Sequence, residues 1–205
     1  MNGAWEKRQQ SSGESAALSL KIHYNEPAVH HRLTERLRTQ LESLQPDRPI
    51  AVVCVGTDRS TGDSLGPLVG SLLSRETNPQ FDLYGTLDEP VHAMNLNDTL
   101  AKIMRTPRQP FVIAVDACLG QVSSVGCIQL GIGPVRPGAG VNKDLPPVGD
   151  VHLTGIVNVG GFMEYFVLQN TRLNLVMKMS DIIAQSILHA IRTARSAPIP
   201  FAAPD

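Results

Sequence analysis

Between positions 50 and 67 the chain changes its hydrophobic pattern three times. Residues 50–55 are six consecutive apolar side chains rich in Val and Ile, which predicts a strand buried on both faces, as in a parallel sheet. Residues 56–62 are small and polar and read as a turn. Asp63 and Ser64 then stand where a helix would be capped, with Pro67 in its first turn and Leu68, Val69, Leu72 and Leu73 along its apolar side. This unit sets Asp63 at the carboxyl end of a buried strand, where open α/β sheets bind ligands. Residues 111–115 form a second apolar run that leads straight into Asp116, so two carboxylates are expected at the ends of two buried strands.

The rest of the chain continues the alternation. Val29, Leu33, Leu37, Leu41 and Leu44 recur at helical spacing, with Arg and Glu between them and with His30 and His31 assigned to the solvated side. Residues 81–87 predict a short strand, and residues 94–104 a crossover helix with Asn95 or Asn97 near its cap. Residues 117–120 read as a loop, and 125–130 as a strand in a hairpin or at an edge. Residues 131–149 hold five glycines and four prolines and predict a long loop, a candidate substrate-facing flap. The apolar run 151–159 predicts a strand, Gly160-Gly161 the opening of a helix over 162–168, residues 173–177 a short strand, and residues 180–194 a final helix. The fold class is α/β: a single domain with a mostly parallel, twisted sheet flanked by helices. Its expected extent is 22–195, between tails at 1–21 and 196–205.

Composition narrows the function. Eighteen Lys and Arg stand against nineteen Asp and Glu, a formal net charge of −1, which argues against a general electrostatic grip on nucleic acid. Cys54, Cys118 and Cys127 make no disulfide framework and fit a reducing compartment. The sequence shows neither a signal layout nor a bilayer-length apolar run, so a cytoplasmic protein without a membrane partner is expected.

The chemistry on offer centres on the two aspartates. Two carboxylates in one cleft cannot both ionise cheaply, so one holds its proton while the other acts as base, a pairing able to activate water on an amide carbonyl. The plain alternative makes Asp63 only a helix cap and Asp116 only a turn former. The Gly56–Gly66 loop lacks the Gly-Lys-Ser/Thr ending of a phosphate-binding P-loop. Cys118 has no identifiable base, and a buried structural thiol is the commoner case. His92 or His152 could join the aspartates as a metal ligand.

Three segments carry a resemblance: residues 56–67 (GTDRSTGDSLGP), residues 115–117 (VDA) and residues 137–143 (PGAGVNK). In this order they resemble the germination protease group, endopeptidases of spore-forming bacteria that degrade small acid-soluble spore proteins. From about Ile22 to Ile191 the chain is similar to the smaller, sporulation-associated relatives of that protease. More distantly it resembles the hydrogenase maturation endopeptidases, which implies their phosphorylase/hydrolase-like α/β fold. The resemblance implies an aspartic-type pair at Asp63 and Asp116, no cofactor, and a protein substrate such as the small acid-soluble spore proteins. It also implies a homo-oligomer acting in the forespore or mother cell. Asp58 is the implied supporting partner, Arg136 and Lys143 belong to the substrate loop, and backbone amides at the Asp63 helix start would hold an oxyanion. The hydrogenase enzymes place a metal-ligating His after a later strand. Asn158 stands there in this chain, leaving Asp63, Asp116 and nearby His152 as the ligand set of a metal-assisted alternative. A catalytically idle binding protein is the reading outside enzymes.

Overall fold

A computed structural model of the chain describes residues 19–138 and 145–196. Six strands form one sheet: β1 (Leu20–His23), β2 (Ile50–Cys54), β3 (Asp82–Tyr84), β4 (Phe111–Gly120), β5 (Cys127–Ile132) and β6 (Val151–Val159). Their spatial order is β1-β5-β6-β4-β2-β3. The pairs β6–β4, β4–β2 and β2–β3 are parallel, whereas β5 runs antiparallel to both of its neighbours. The expected single-domain α/β architecture is therefore present, with β5 the one reversed strand.

Five helices complete the described chain: α1 (Val29–Glu42), α2 (Leu65–Leu73), α3 (Leu96–Met104), α4 (Glu164–Gln169) and α5 (Leu173–Ser196). Odd-numbered residues of β4, such as Ile113 and Val115, share a core with α1, α2 and α5. Even-numbered residues, Val112 and Ala114, share a second core with Leu96, Leu100 and Ile103 of α3. Helices thus cover both faces of the central strands, which explains why β2 and the first half of β4 are unbroken apolar runs. None of the described helices is long and apolar enough to cross a membrane.

Several boundaries differ from expectation, each for a local reason. Leu20 and Lys21, assigned to the tail, pair with Leu130 and Gln129 in the edge strand β1. Residues 117–120 are strand rather than loop, because β4 continues along β6 as far as the Gly120–Val159 pair, with an irregularity after Cys118. The strand expected over 81–87 shrinks to Asp82–Tyr84, since Gly85 turns out at φ +92°. Residues 173–177 belong to α5: Val176, Met179, Ile183 and Ile187 are buried at helical spacing. The Ser180 hydroxyl bonds back to the Met177 carbonyl (2.8 Å) instead of capping a new start. His30 turns toward α5, its ring edge-on to His189 at 5.0 Å, while His31 is exposed as expected.

The β2–α2 connection is tight. A Cβ on Gly66 would lie 2.1 Å from the Val55 carbonyl oxygen, and one on Gly56 (φ +146°) would lie 2.0 Å from that of Asp63. Both obstacles are backbone, so neither can move aside cheaply.

Two predictions follow from this packing. Gly66→Ala is expected to destabilise the protein by about 1–3 kcal/mol, the usual cost of overpacking, measured as a lower midpoint in chemical denaturation. Burial, and then the neighbouring His189 charge, hold the His30 imidazole below its ordinary value of 6.5, with His31 adding in the same direction. Below pH 6.5 the unfolded chain therefore binds more protons than the folded one, and stability falls with pH until the folded-state pKa is passed. His30→Gln should flatten that slope in thermal melts between pH 5 and 7.

Candidate active site

The sheet's order reverses at β2. From β2 the chain moves outward to β3, then returns across to β4 on the other side of β2. With α2 on one face and α3 on the other, the two connections diverge and leave a crevice at the carboxyl ends of β2 and β4. Val55 is the last residue of the first strand region still held to β4, its N–H donating to the Val115 carbonyl (2.8 Å). Gly56 then leaves, donating to Val91 of the β3–α3 connection (2.8 Å).

That departure defines the environment of Asp116. The residue lies within β4 rather than at its end, in register with Thr154 of β6 on one side and with no strand beside it on the other. Its side chain continues the face of Val112 and Ala114 and is only 5% exposed. One carboxylate oxygen accepts the N–H of Ala117 (2.9 Å). Burial pushes the Asp116 carboxyl well above the usual carboxylate range, the negative charge of Asp63 adds to the rise, and the Ala117 N–H opposes it weakly. The structure thus brings Asp63 and Asp116 together, two residues that are 53 positions apart in the chain.

Asp63 sits in a single 3₁₀ turn, Gly62–Ser64, that runs directly into α2. The α-helix thus starts after Ser64, where the sequence placed it, although Ser64 makes no side-chain cap. Its N–H donates to the Ser60 carbonyl (3.0 Å), so this amide of the expected oxyanion cradle is spent inside the turn. Asp63 is positioned from behind by its own carbonyl, which accepts the N–H of Thr57 (3.2 Å).

The two aspartates line a cavity of about 240 Å³. Thr57, Arg59 and Ser60 of the β2–α2 loop form one wall, and His92 and Met94 another. Tyr165 and Leu168 of α4 supply an apolar side, and Pro137, Gly138 and Leu145 reach in from the long loop. That loop is pinched at its base by reciprocal backbone bonds between Val135 and Val148 (2.9 Å each), so its described ends are held at the cavity as a flap would be. Lys143 lies outside the described residues. Arg136 is exposed and does not line the cavity, and neither does Asp58, which is also exposed and stands 3.5 Å from the Thr57 hydroxyl.

Two other candidates have structural duties. Asn158 donates to the Val167 carbonyl and to the Thr171 hydroxyl (both 3.2 Å), while its side-chain oxygen accepts the Val159 N–H (2.9 Å). It tethers α4, a helix with no buried residue of its own, to the end of β6. His152 bonds through Nδ1 to the Gly133 carbonyl (2.9 Å) and is absent from the cavity lining. Among the described residues no three of His, Cys, Asp and Glu gather in a way that would hold a metal ion, so the set Asp63, Asp116 and His152 is not assembled. Cys118, with a thiol pushed up to about 11 chiefly by burial, is no ready nucleophile.

His92 and Ser60 were the less legible members of the site. His92 reaches it because Val91 bridges to Val55, and Asn95 fixes the turn by accepting the His92 N–H (2.8 Å) and donating to the Pro90 carbonyl (3.0 Å). Asn95 therefore shapes the loop before α3 and makes no side-chain cap on that helix. An Asn three residues after a His in a Pro-containing turn was the available signal.

The chain belongs to the family described as protein of unknown function (DUF1256), whose model matches residues 21–186. It is 62% identical over 146 residues to YyaC, an uncharacterized protein of Bacillus subtilis (strain 168), a match that covers 71% of each chain. The matched family segment contains both aspartates and every described wall of the cavity.

The raised Asp116 carboxyl has a stability consequence. Its folded-state pKa lies above the unfolded value of 3.8, so the folded chain binds more protons, and stability falls as pH rises from about 3.8 through the folded pKa. Asp116→Asn keeps the shape and the Ala117 bond while removing that burden. It is expected to raise stability at pH 7 by about 1 kcal/mol or more, read as a higher melting temperature at pH 7 that converges on wild type near pH 4.

Proposed function

We propose that this member of the DUF1256 family is a peptidase that hydrolyses an amide bond of a protein substrate with Asp63 and Asp116 as its acid–base pair. The observation that supports this reading most is the buried Asp116 carboxyl, pushed upward beside a second aspartate with which it lines a cavity. Two carboxyl groups in such unequal surroundings divide into an acid and a base. Asp116, which burial keeps protonated, is the acid; Asp63, at the start of the α2 segment, is the base.

The reaction balances as a simple hydrolysis. Asp63 takes a proton from water as the water oxygen bonds to the amide carbon, giving a tetrahedral intermediate. Asp116 gives its proton to the amide nitrogen, the carbon–nitrogen bond breaks, and a carboxylic acid and an amine leave. Return of the proton from Asp63 to Asp116 restores the pair. The cavity serves by keeping bulk water from the acid, which sustains its raised pKa.

The motif resemblance in residues 56–67, 115–117 and 137–143 names the first substrates to try, small acid-soluble spore proteins, and the cytoplasm of a forespore or mother cell as the place of action. The test is cleavage of these proteins by purified wild type, Asp63→Asn and Asp116→Asn, with and without a chelator. The expected outcome is cleavage by wild type alone, with each variant reduced by about 10²–10⁴-fold and the chelator without effect. Loss of activity on chelation would transfer the chemistry to a metal ion. Absence of cleavage by the wild type would overturn the substrate assignment.

A further inference from the structure

Among the described residues, four buried side-chain polar atoms have no hydrogen-bond partner: His30 Nε2, Thr34 Oγ1, Ser60 Oγ and Ser186 Oγ. Three of these belong to the helix pair α1 and α5. Ser60 alone lines the cavity that holds Asp63 and Asp116. Ser60 is 6% exposed, and its hydroxyl is unspent in a loop where the Thr57 and Ser64 hydroxyls are engaged. Thr57 Oγ1 accepts the Arg59 N–H (3.3 Å), and Ser64 Oγ donates to the Thr61 carbonyl (2.7 Å).

The main chain at Ser60 is held firmly. Its carbonyl accepts the Ser64 N–H (3.0 Å), so Ser60 is fixed to the same turn that carries Asp63, three residues before it. A buried hydroxyl left without a partner lowers stability. Selection of an apolar small residue would relieve that burden, unless the hydroxyl has a partner in another state of the protein.

We propose that Ser60 is a substrate-binding residue whose hydroxyl donates a hydrogen bond to the carbonyl oxygen of the bond being cleaved. The assignment rests on the peptidase reading above. Hydrolysis of an amide places negative charge on that oxygen as water adds, and a donor prepared to meet it strengthens its bond as the charge grows. The two aspartates are occupied with proton transfer, and the Ser64 amide is committed to the turn, which leaves the oxyanion without a donor from those groups. A hydroxyl fixed on the Asp63 turn and facing no internal acceptor supplies one. Ser60 keeps its own proton throughout; no covalent intermediate forms on it, and the bond changes are those of hydrolysis by water.

The same property that suits Ser60 to this role separates it from a structural serine. A structural hydroxyl supports the fold, so its removal lowers the melting temperature. An unspent one does not, and its removal leaves the melting temperature equal or raised by about 2–4 °C, the shift that corresponds to about 1 kcal/mol in a chain of this size. Wild type, Ser60→Ala and Ser60→Thr would be compared in thermal melts and in steady-state cleavage of a small acid-soluble spore protein. Ser60→Ala is expected to keep or raise the melting temperature and to lower kcat by about 10²–10³-fold. KM should stay within about threefold and the shape of the pH–rate profile should be unchanged, because the acid and base are intact. Ser60→Thr, which retains the hydroxyl, should recover most of kcat. A melting temperature lowered by Ser60→Ala overturns the proposal, whatever happens to activity, and so does an unchanged kcat. If the wild type cleaves no small acid-soluble spore protein, the substrate assignment fails, and the oxyanion role proposed for Ser60 on that substrate fails with it. A raised melting temperature in Ser60→Ala would then still mark an unspent hydroxyl in the cavity.

Discussion

One ionisable group governs this site: a carboxyl that the fold withdraws from water and places beside another carboxylate. Asp116 cannot leave, because it lies inside β4 and that strand is paired along β6 for four residues beyond it. Nor can water easily reach it, since it is only 5% exposed. Folding therefore has to accept either the cost of a buried charge or the capture of a proton, and proton capture is the cheaper course. An aspartate at this place stabilises nothing visible; the Ala117 N–H it accepts would be served equally by an asparagine. A residue that costs stability and returns no packing is what makes this position a candidate functional site.

The remaining structure can be understood as the means of bringing Asp63 to that carboxyl. Two backbone contacts accomplish it. Gly66 lets α2 press against the Val55 carbonyl, and Gly56 lets the chain double back under the Asp63 carbonyl. With any side chain at either place the turn would stand further from β4, and the influence of Asp63 on Asp116 would weaken with distance. The long loop and α4 then close the cavity by different means. The loop is clasped by the Val135–Val148 pair, while α4, which has no buried residue, hangs from the Asn158 amide and from the close approach of Leu168 and Thr171 to Gly62. Elements held by few apolar contacts are the ones that open most readily. Phe162, Met163, Tyr165 and Phe166 are all exposed around this helix, and Tyr165 lines the cavity.

Most of the fold was legible in the sequence because its strongest signals were those least subject to competition. Six consecutive apolar residues at 50–55 admit little but a doubly covered strand, and the helical recurrence of Val29, Leu33, Leu37 and Leu41 admits little but an amphipathic helix. Errors fell where local signals met tertiary pairing. Residues 117–120 carry a glycine and a cysteine and look like a loop, yet β6 offers a complete edge that holds them as strand. Ser180 looks like a helix start, yet its hydroxyl is absorbed by the preceding turn and the apolar period continues through it. The carboxylate pair was legible because Asp116 follows directly on an apolar run and Asp63 closes the short polar turn that joins another such run to a helix. Asn158 and His152 were not, because a polar residue in a strand does not reveal whether it serves a site or a tether until its partners are seen.

His92 shows what sequence periodicity omits in this chain. It belongs to no regular element, and its neighbours in sequence, Val91 and Ala93, give no hint of a site. Its position follows from a single parallel bridge, Val91 to Val55, which exists only because Gly56 leaves the sheet there and offers its N–H to the Val91 carbonyl. The same departure removes a strand from beside Asp116. One turn of backbone at Gly56 thus opens the edge next to Asp116, carries the Asp63 turn over it, and draws His92 to the opposite wall. The site is a consequence of where β2 stops.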